Sequence, residues 1–226
     1  MATLLREGDV ERVIEMDPVI DAVERSMREL GEGIAQNQPR RRVYPPGGGL
    51  HVMFATFPGS GYYGVKSYSI GAGKVRFVVL LYLQDGEQAG SLDALIEANL
   101  MGAYRTGAAS AVAARALAPP GPLEVAVIGS GFQARTQLHA LSRTLPGSRF
   151  RVWSRDRARR EEFALDLADS LGLAVNPTDS AEAAVRGAQV VVTMTNSGQP
   201  VPMTPTSTGP GGARARAATP LAAPVR

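Results

Sequence analysis

The first eighty residues combine one amphipathic helix with several short apolar runs. After Asp17-Pro18, a pair typical of a helix start, apolar side chains recur at three- and four-residue spacing as far as Ile34. This spacing predicts a helix with one buried face that ends near residues 36–39. Between residues 40 and 83, aromatic and β-branched runs alternate with Gly and Pro clusters, which predicts an antiparallel sheet.

Two further signals follow this sheet. Asp85-Gly86 is a two-residue hairpin sequence that would reverse the preceding strand. The Ala-rich stretch 94–118 predicts a helix with a break between Gly102 and Gly107, and a Pro-rich linker follows it.

Beyond the linker, short β-branched runs alternate with amphipathic segments. The predicted strands are EVAVIG, RFRVWS, LAVN and QVVVTMT, and the predicted helices cover 132–145, 156–171 and 180–186. This alternation is typical of a doubly wound α/β unit with a parallel sheet. Residues 202–226 are rich in Pro, Gly, Ala, Ser and Thr, and we expect this tail to be disordered.

Composition excludes several classes of function. The net charge is +3, and the three arginines of residues 202–226 account for all of it, so we expect no nucleic-acid partner. The absence of cysteine excludes a disulfide scaffold and a thiolate site, and we predict no metal site. No apolar run is long enough to span a bilayer and no secretion signal is evident, so we expect a cytoplasmic protein without a membrane partner.

The strongest local signal is VAVIGSGFQA, residues 125–134. It places G-x-G-x-x-A, from Gly129 to Ala134, between a predicted strand and a predicted helix. There the first glycine permits a tight turn, Gly131 lets the backbone approach a pyrophosphate, and the helix N-terminus attracts the phosphates. The alternative is a strand-to-helix turn that binds no ligand.

The end of the second strand bears on the choice of nucleotide. NAD sites usually carry Asp or Glu there, whereas this chain has Ser154 and Arg155. A hydroxyl and a guanidinium suit a 2′-phosphate and favour NADP over NAD, with Asp156 capping the next helix. The alternative is that Arg155 is a solvated loop charge.

Lys66 is a candidate for substrate chemistry. The 24 basic residues include only two lysines, so a lysine within the strand-like YYGVKSYSI suggests a site that needs a compact, titratable ammonium. The alternative is a lysine whose stem lies along the sheet while its amine reaches solvent.

Three segments together resemble the ornithine cyclodeaminase and mu-crystallin family of NAD(P)-dependent enzymes. They are GVK at 64–66, LMGAYRTGAASAVAARALA at 100–118 and VAVIGSGFQAR at 125–135. The resemblance implies an α/β fold in which an α+β substrate-binding and dimerisation domain, residues 1–120, precedes a partial, truncated Rossmann-type dinucleotide-binding domain, residues 121–201. It also implies a homodimer that acts at the α-carbon of a small amino or imino acid.

Carried onto this sequence, the resemblance implies that Arg40, Lys66 and Arg105 bind the substrate carboxylate. Arg40 is chosen by spacing from a cluster of three arginines, and an ammonium beside forked guanidinium groups suits a carboxylate. Arg105 and Thr106, at a predicted helix start, are also expected to meet the cofactor phosphates. The other implied cofactor contacts are Gly129, Gly131, Phe132, Gln133, Ala134, Ser154, Arg155 and Thr195.

The sequence departs from the family in two places. Where cyclodeaminases carry a Glu before the lysine, this chain has His51, which is either a proton carrier or a plain strand histidine. The exchange weakens the case for ornithine, because a second amine requires an acidic partner.

The second departure follows Val201, where the family continues into a region with a catalytic Asp. In this chain a Pro- and Ala-rich segment without acidic residues stands there. This shift suggests a frameshifted or truncated reading frame.

The sequence therefore predicts an oxidoreductase that prefers NADP to NAD, with Lys66 and His51 as catalytic candidates. The expected substrates are a cyclic imine of the pyrroline-2-carboxylate type, or ornithine converted to proline. The alternatives are a non-catalytic binder of nucleotides or small ligands, and an inactive truncated fragment of such an enzyme.

Overall fold

The structure, a computed structural model, describes residues 1–195, 197–198 and 200–201. The chain divides into two compact units, Met1–Arg105 and a second unit that begins at Thr106. One helix, α3 (Asn99–Leu117), contributes to both units. The predicted tail, residues 202–226, lies outside the described residues.

The first unit consists of a mixed sheet and helices. Its helices before α3 are α1 (Glu7–Val13) and α2 (Met16–Gly31). Its strands are β1 (Thr3–Leu5), β2 (Gln36–Asn37), β3 (Arg41–Val43), β4 (Gly48–Phe57), β5 (Tyr62–Gly71), β6 (Lys74–Leu83) and β7 (Leu92–Glu97). Their order is β1-β7-β6-β5-β4-β2, with β3 also paired to β4. Only β1 and β7 run parallel among these described strands, so the antiparallel sheet predicted from residues 40–83 is confirmed.

Two helix predictions for this unit are wrong at their boundaries. Helix α2 ends at Gly31, before the predicted position, because Gly33 has a φ of +76° that a continuing helix does not contain. The stretch predicted to be helical from residue 94 begins as strand β7, whose alternate residues Ala94 and Ile96 are buried. They pack against Val10 of α1, and this tertiary packing overrides the helix propensity of alanine.

The connection between β6 and β7 is longer than the predicted two-residue hairpin. Asp85-Gly86 lies within it, but the ladder closes where the Gly90 N–H donates to the Leu83 carbonyl oxygen at 2.8 Å. The turn therefore occupies residues 84–91.

Helix α3 begins at Asn99 and continues without the predicted break. The carboxylate of Glu7 accepts hydrogen bonds from the backbone N–H groups of Asn99 at 2.5 Å and Leu100 at 3.1 Å. These bonds satisfy donors that have no partner within the helix, and the negative charge interacts favourably with the helix N-terminus.

The second unit has the parallel α/β architecture predicted from the sequence. After α3 its elements are β8 (Glu124–Ile128), α4 (Phe132–Thr144), β9 (Arg149–Trp153), α5 (Arg157–Leu171), β10 (Val175–Pro177), α6 (Ala181–Val185) and β11 (Val190–Thr193). The strands run parallel in the order β10-β9-β8-β11. Strand β8 is central, and Val125 to Ile128 are fully buried.

Neither a membrane-spanning helix nor a metal centre is found in the part of the chain that the structure describes. No helix there is both long and apolar enough to cross a bilayer. No group of three His, Cys, Asp or Glu side chains there is placed to hold a metal ion.

Candidate functional site

One face of the sheet in the first unit brings together the polar residues singled out in the sequence. Lys66 and Tyr68 are two residues apart on β5, so their side chains lie on the same face. On β4, His51 is paired with Tyr68 and Met53 with Lys66. The strand register therefore places both titratable candidates, Lys66 and His51, on this face.

Aromatic rings support the cations on this face. The Lys66 Nζ lies 4.7 Å from the centre of the Phe77 ring, and the Arg40 guanidinium carbon lies 5.7 Å from the centre of the Tyr68 ring. The two rings are themselves 4.9 Å apart. Cations over ring faces gain electrostatic stabilisation without being neutralised, so their charges remain available to a ligand.

Burial and mutual repulsion make the cations of this face electrostatically unfavourable. Burial, followed by the nearby charges of Arg105 and Arg40, lowers the pKa of Lys66 to about 8. Burial and the charge of Arg40 also lower the pKa of Arg105. No carboxylate of the described residues pairs with Lys66, Arg40 or Arg105, and the buried Arg40 Nε has no hydrogen-bond partner there. This arrangement would be stabilised by an anionic ligand.

His51 lies against the same aromatic residues. Its side chain is buried, its ring stacks on Tyr68 with centroids 4.4 Å apart, and the edge of Tyr44 meets it at 5.7 Å. Neither ring nitrogen has a hydrogen-bond partner in the described chain. Burial, then the charges of Arg42 and Arg40, lowers the pKa of His51, so the neutral imidazole is favoured at neutral pH.

Arg40, Lys66 and Arg105 therefore form one group of cations whose charges influence one another, and the charge of Arg40 also acts on His51. Sequence reasoning missed the aromatic supports Tyr68 and Phe77. The alternation of β5 could have placed Tyr68 beside Lys66, but Phe77 becomes a neighbour only through the pairing of β5 with β6.

In the second unit, the glycine loop connects β8 to α4. Gly129 has a φ of +120°, and a Cβ there would lie 2.2 Å from the Met194 carbonyl oxygen. Its N–H donates to the Trp153 carbonyl oxygen at 2.7 Å. Gly129 is therefore held between the ends of two neighbouring strands, where no other residue fits.

The start of α4 suits a phosphate group. Gly131 is the N-cap and provides no side-chain acceptor, and a Cβ built on it would meet no atom within 4 Å. The Ala134 N–H bonds to the Gly131 carbonyl oxygen at 2.9 Å, whereas the buried Gln133 Oε1 has no partner in the described chain. The Phe132 side chain is 59% exposed, so it does not contribute to the core. Open space beside an uncapped helix start is what a pyrophosphate requires.

Ser154 at the end of β9 is linked to this loop. The Ser130 hydroxyl donates to the Ser154 hydroxyl at 2.9 Å, and the buried Arg160 donates to the Ser154 carbonyl oxygen at 3.1 Å. Asp156 caps α5 as predicted, because its side chain accepts from the Arg159 N–H at 3.1 Å. Arg155 is exposed, which fits either a phosphate ligand or a solvated charge.

Two other predicted cofactor residues have different surroundings. Thr106 does not lie at a helix start, as the sequence suggested, because α3 begins at Asn99 and Arg105 and Thr106 are inside it. The Thr106 carbonyl oxygen accepts from Gln137 Nε2 at 3.2 Å. Thr195 follows β11, is exposed, and accepts a hydrogen bond from the Ser197 N–H at 3.1 Å.

Comparison with known proteins gives a consistent result for both units. The family model described as "Ornithine cyclodeaminase/mu-crystallin family" matches residues 2–211. The L-lysine cyclodeaminase of Streptomyces rapamycinicus is 35% identical over 209 residues, which cover 85% of this chain and 60% of that protein.

Two solved structures share the fold. The Thermococcus litoralis Δ1-pyrroline-2-carboxylate reductase in complex with NADH and L-proline superposes with a TM-score of 0.78 at 29% identity, covering 88% of this chain and 63% of that one. An archaeal alanine dehydrogenase dimer with bound NAD gives 0.79 at 29% identity, with coverage of 88% and 62%. The chain thus spans about three fifths of the length of these relatives. With a match to the family model over most of its length, and with the α/β architecture of these relatives, this chain belongs to the ornithine cyclodeaminase/mu-crystallin family.

Proposed function

We propose that this chain is a nicotinamide-dependent oxidoreductase that acts at the α-carbon of a small amino or imino acid. The observation that carries the proposal is the group formed by Arg40, Lys66 and Arg105, which is partly buried and has no counter-charge in the described residues. Unpaired buried cations are costly, and such groups are typical of sites whose ligand supplies the missing charge.

The three cations would bind the substrate carboxylate. Two guanidinium groups offer forked donors and the Lys66 ammonium offers a compact charge. The rings of Tyr68 and Phe77 lie against Arg40 and Lys66, and apolar surface beside the cations strengthens their attraction for a carboxylate. Fixing the carboxylate fixes the adjacent α-carbon, which is the atom that reacts.

The glycine loop would hold the nucleotide. Gly131 and the first turn of α4 would hold the pyrophosphate, because the helix start is uncapped by a side chain and a Cβ at Gly131 would meet open space. Gly129, Phe132, Gln133, Ala134 and Thr195 would border the nucleotide. When bound, a nicotinamide cofactor supplies or accepts the hydride. We infer a preference for NADP, because Ser154 and Arg155 stand where an NAD site would carry an acidic residue. Contacts from Arg105 and Thr106 to the nucleotide remain a prediction from the family.

Reduction of an imine adds hydride to carbon and a proton to nitrogen, so the site needs a proton carrier. Lys66, with its pKa lowered to about 8, can hold and release a proton close to physiological pH. His51, whose pKa is also lowered, is the second candidate. Of the two substrates expected from the sequence, a cyclic imine of the pyrroline-2-carboxylate type suits this site better than ornithine, because no acidic side chain of the described residues perturbs the pKa of these groups or stands ready to bind a second amine.

We also propose a homodimer formed through the opposite face of the sheet. Leu50 is 42% and Phe54 is 49% exposed, and both alternate with His51 along β4. Exposed apolar side chains on a sheet face mark an interaction surface, and the archaeal alanine dehydrogenase to which this chain is similar is a dimer.

The test uses the intrinsic fluorescence of Trp153, the single tryptophan of the chain, whose carbonyl oxygen binds the glycine loop. We expect NADPH to change this fluorescence saturably, and to do so at lower concentrations than NADH. We expect Arg155→Ala to reduce this preference by about tenfold, since a charge-assisted hydrogen bond contributes about 1.5–3 kcal/mol. Consumption of NADPH with cyclic imines would then identify an enzyme rather than a binder. A chain that gives no saturable change with either nucleotide would overturn the proposal.

A further inference from the structure

The cationic face of the first unit extends beyond the three residues that a single carboxylate needs. Arg40 is a charged neighbour of Lys66, of Arg105 and of His51. The strongest charged neighbour of His51 is Arg42. Arg40 therefore adjoins two groups, which we call the first subsite (Lys66 and Arg105) and the second subsite (His51 and Arg42).

The second subsite centres on the His51 imidazole, which aromatic contacts hold in place. His51 stacks on Tyr68 and meets the edge of Tyr44, so aromatic contacts fix the plane of the imidazole. The ring is only 6% exposed, and both nitrogens lack a partner in the described chain. Buried polar atoms are normally paired, so this arrangement suggests a ligand that is absent here.

Arg42 is placed to act with His51. The two residues are directly paired across β3 and β4, so their side chains project from the same face. Several other arginines form ion pairs with carboxylates, such as Arg6 with Glu97 and Arg157 with Glu161. Neither Arg42 nor Arg40 has an ion-pair partner within the described residues.

The charges of the two subsites are all positive or neutral. One carboxylate at the first subsite would neutralise one of the four positive charges of Lys66, Arg105, Arg40 and Arg42, and three would remain. An amine beside them would be repelled, whereas a second carboxylate would be attracted. Lys66 is paired with Met53, which is two residues from His51 on β4. Lys66 and His51 are therefore diagonal neighbours about 7–8 Å apart, and a short linear diacid could reach both subsites.

We propose that His51 and Arg42 bind a second carboxylate, so that the substrate is an α-amino or α-imino dicarboxylic acid of about four or five carbons. This inference rests on the proposed function, because the first subsite must hold the α-carboxylate. A neutral imidazole that donates its N–H to the second carboxylate does not take the substrate proton, so the proton is assigned to Lys66.

The experiment compares the affinities of the full chain, saturated with NADP⁺, for two amino acids of equal size by calorimetry. L-Aspartate carries the second carboxylate, and L-asparagine replaces it by a neutral amide. We expect aspartate to bind at least about tenfold more tightly, as a charge-assisted hydrogen bond predicts, and L-ornithine to bind more weakly than both.

Variants assign the difference to the second subsite. His51→Phe keeps the aromatic stack and removes the nitrogens, so the aspartate affinity should fall towards that of asparagine, with Arg42 keeping part of the difference. Arg42→Gln, at an exposed position where folding is not at risk, should reduce the ratio of the two affinities in the same direction. Arg41→Gln is the matched control, because Arg41 is the neighbouring residue of β3 and points to the other face.

The outcomes separate the two proposals. Equal binding of aspartate and asparagine, both lost in Arg105→Ala, would leave the proposed function standing and overturn the second subsite. Equal effects of Arg41→Gln and Arg42→Gln would reveal a general charge effect and also overturn it. Failure of both amino acids to bind would overturn both proposals.

Discussion

The ammonium of Lys66 lies 4.7 Å from the centre of the Phe77 ring on the neighbouring strand. A ring face stabilises a cation modestly and leaves its charge in place. Lys66 therefore stays a titratable cation that is only partly compensated, next to Arg105 and Arg40. Several measurable properties depend on this relationship.

The affinity for a carboxylate should depend on pH. The Lys66 pKa of about 8 means that the ammonium is protonated below this value and loses its charge above it. We expect the affinity for pyrrole-2-carboxylate to be constant near pH 6–7 and to fall above about pH 8, by up to about tenfold per pH unit. Calorimetry over this range measures the fall. Lys66→Arg keeps its charge throughout, and an equally steep fall in that variant would exclude Lys66 as the cause.

Removal of the Lys66 charge should stabilise the unliganded protein. The pKa of Lys66 is lowered from 10.5 to about 8 on folding, so the folded state disfavours the ammonium. This cost is fully present below pH 8 and disappears as the pH rises towards 10.5. Allowing for screening of a partly exposed side chain, Lys66→Met should raise the free energy of unfolding by about 1–2 kcal/mol at pH 7.

Urea denaturation at pH 7 and pH 10 measures this difference, which should shrink at the higher pH. The exposed Lys74, the other lysine of the chain, provides the control, and Lys74→Met should leave the stability unchanged. A Lys66→Met protein less stable than the wild type at pH 7 would contradict the prediction.

Arg105→Ala should separate substrate binding from nucleotide binding. Arg105 belongs to the first unit and its charge interacts with Lys66. Arg105 retains solvent exposure, and a charge-assisted hydrogen bond contributes about 1.5–3 kcal/mol, so we expect the affinity for pyrrole-2-carboxylate to fall by about tenfold or more. The NADPH affinity measured from Trp153 fluorescence should change little. Arg115→Ala, an exposed position on the same helix, is the control, and equal losses of both ligands in Arg105→Ala would reject this division of roles.

Two glycines of the same loop should respond differently to alanine. A Cβ on Gly129 would lie 2.2 Å from the Met194 carbonyl oxygen at a φ of +120°, so Gly129→Ala should destabilise the protein by about 2–4 kcal/mol. Gly131 has an ordinary φ of −92° and open space around its Cβ. Gly131→Ala should therefore keep the thermal stability while weakening NADPH binding. Thermal denaturation with and without NADPH measures both effects, and unchanged NADPH binding in Gly131→Ala would argue against the pyrophosphate position.

The proposed dimer should depend on Phe54. This side chain is 49% exposed on the face opposite His51, so Phe54→Glu should place charges in the interface and produce a monomer. Light scattering coupled to size-exclusion chromatography measures the mass. The control is Glu11→Gln at an exposed position of α1, which should leave the mass unchanged. A wild-type chain that is already monomeric would refute this interface.

Periodicity in the sequence located the elements of the second unit and the glycine loop, because each depends on local patterns. It misjudged the region from residue 94 to Gly107, where distant residues decide the structure. Ala94 is in a strand because α1 covers it. Gly107 lies inside α3, where a Cβ would come 2.3 Å from the Thr136 carbonyl oxygen, so this position requires glycine. A glycine that sequence reasoning interprets as a break thus permits close packing of α3 against α4.

The candidate site follows the same division. Lys66, Arg40 and Arg105 could be named from the resemblance to the family, and the structure places them in one electrostatic group. Their aromatic supports, and the pairing of Arg42 with His51, depend on the register of β3, β4, β5 and β6. Register is fixed by contacts between strands and cannot be read from one strand alone.

The unpaired cations of the first unit also bear on how the protein persists in a cell. A ligand that binds only the folded state raises its stability by an amount set by the ligand concentration relative to Kd. Because the charges of Arg40 and Arg105 disfavour the ammonium of Lys66, and that of Arg40 disfavours the guanidinium of Arg105, an anion bound among them would raise the free energy of unfolding. In a cell, a low concentration of such an anion would leave more of the chain unfolded and open to proteolysis.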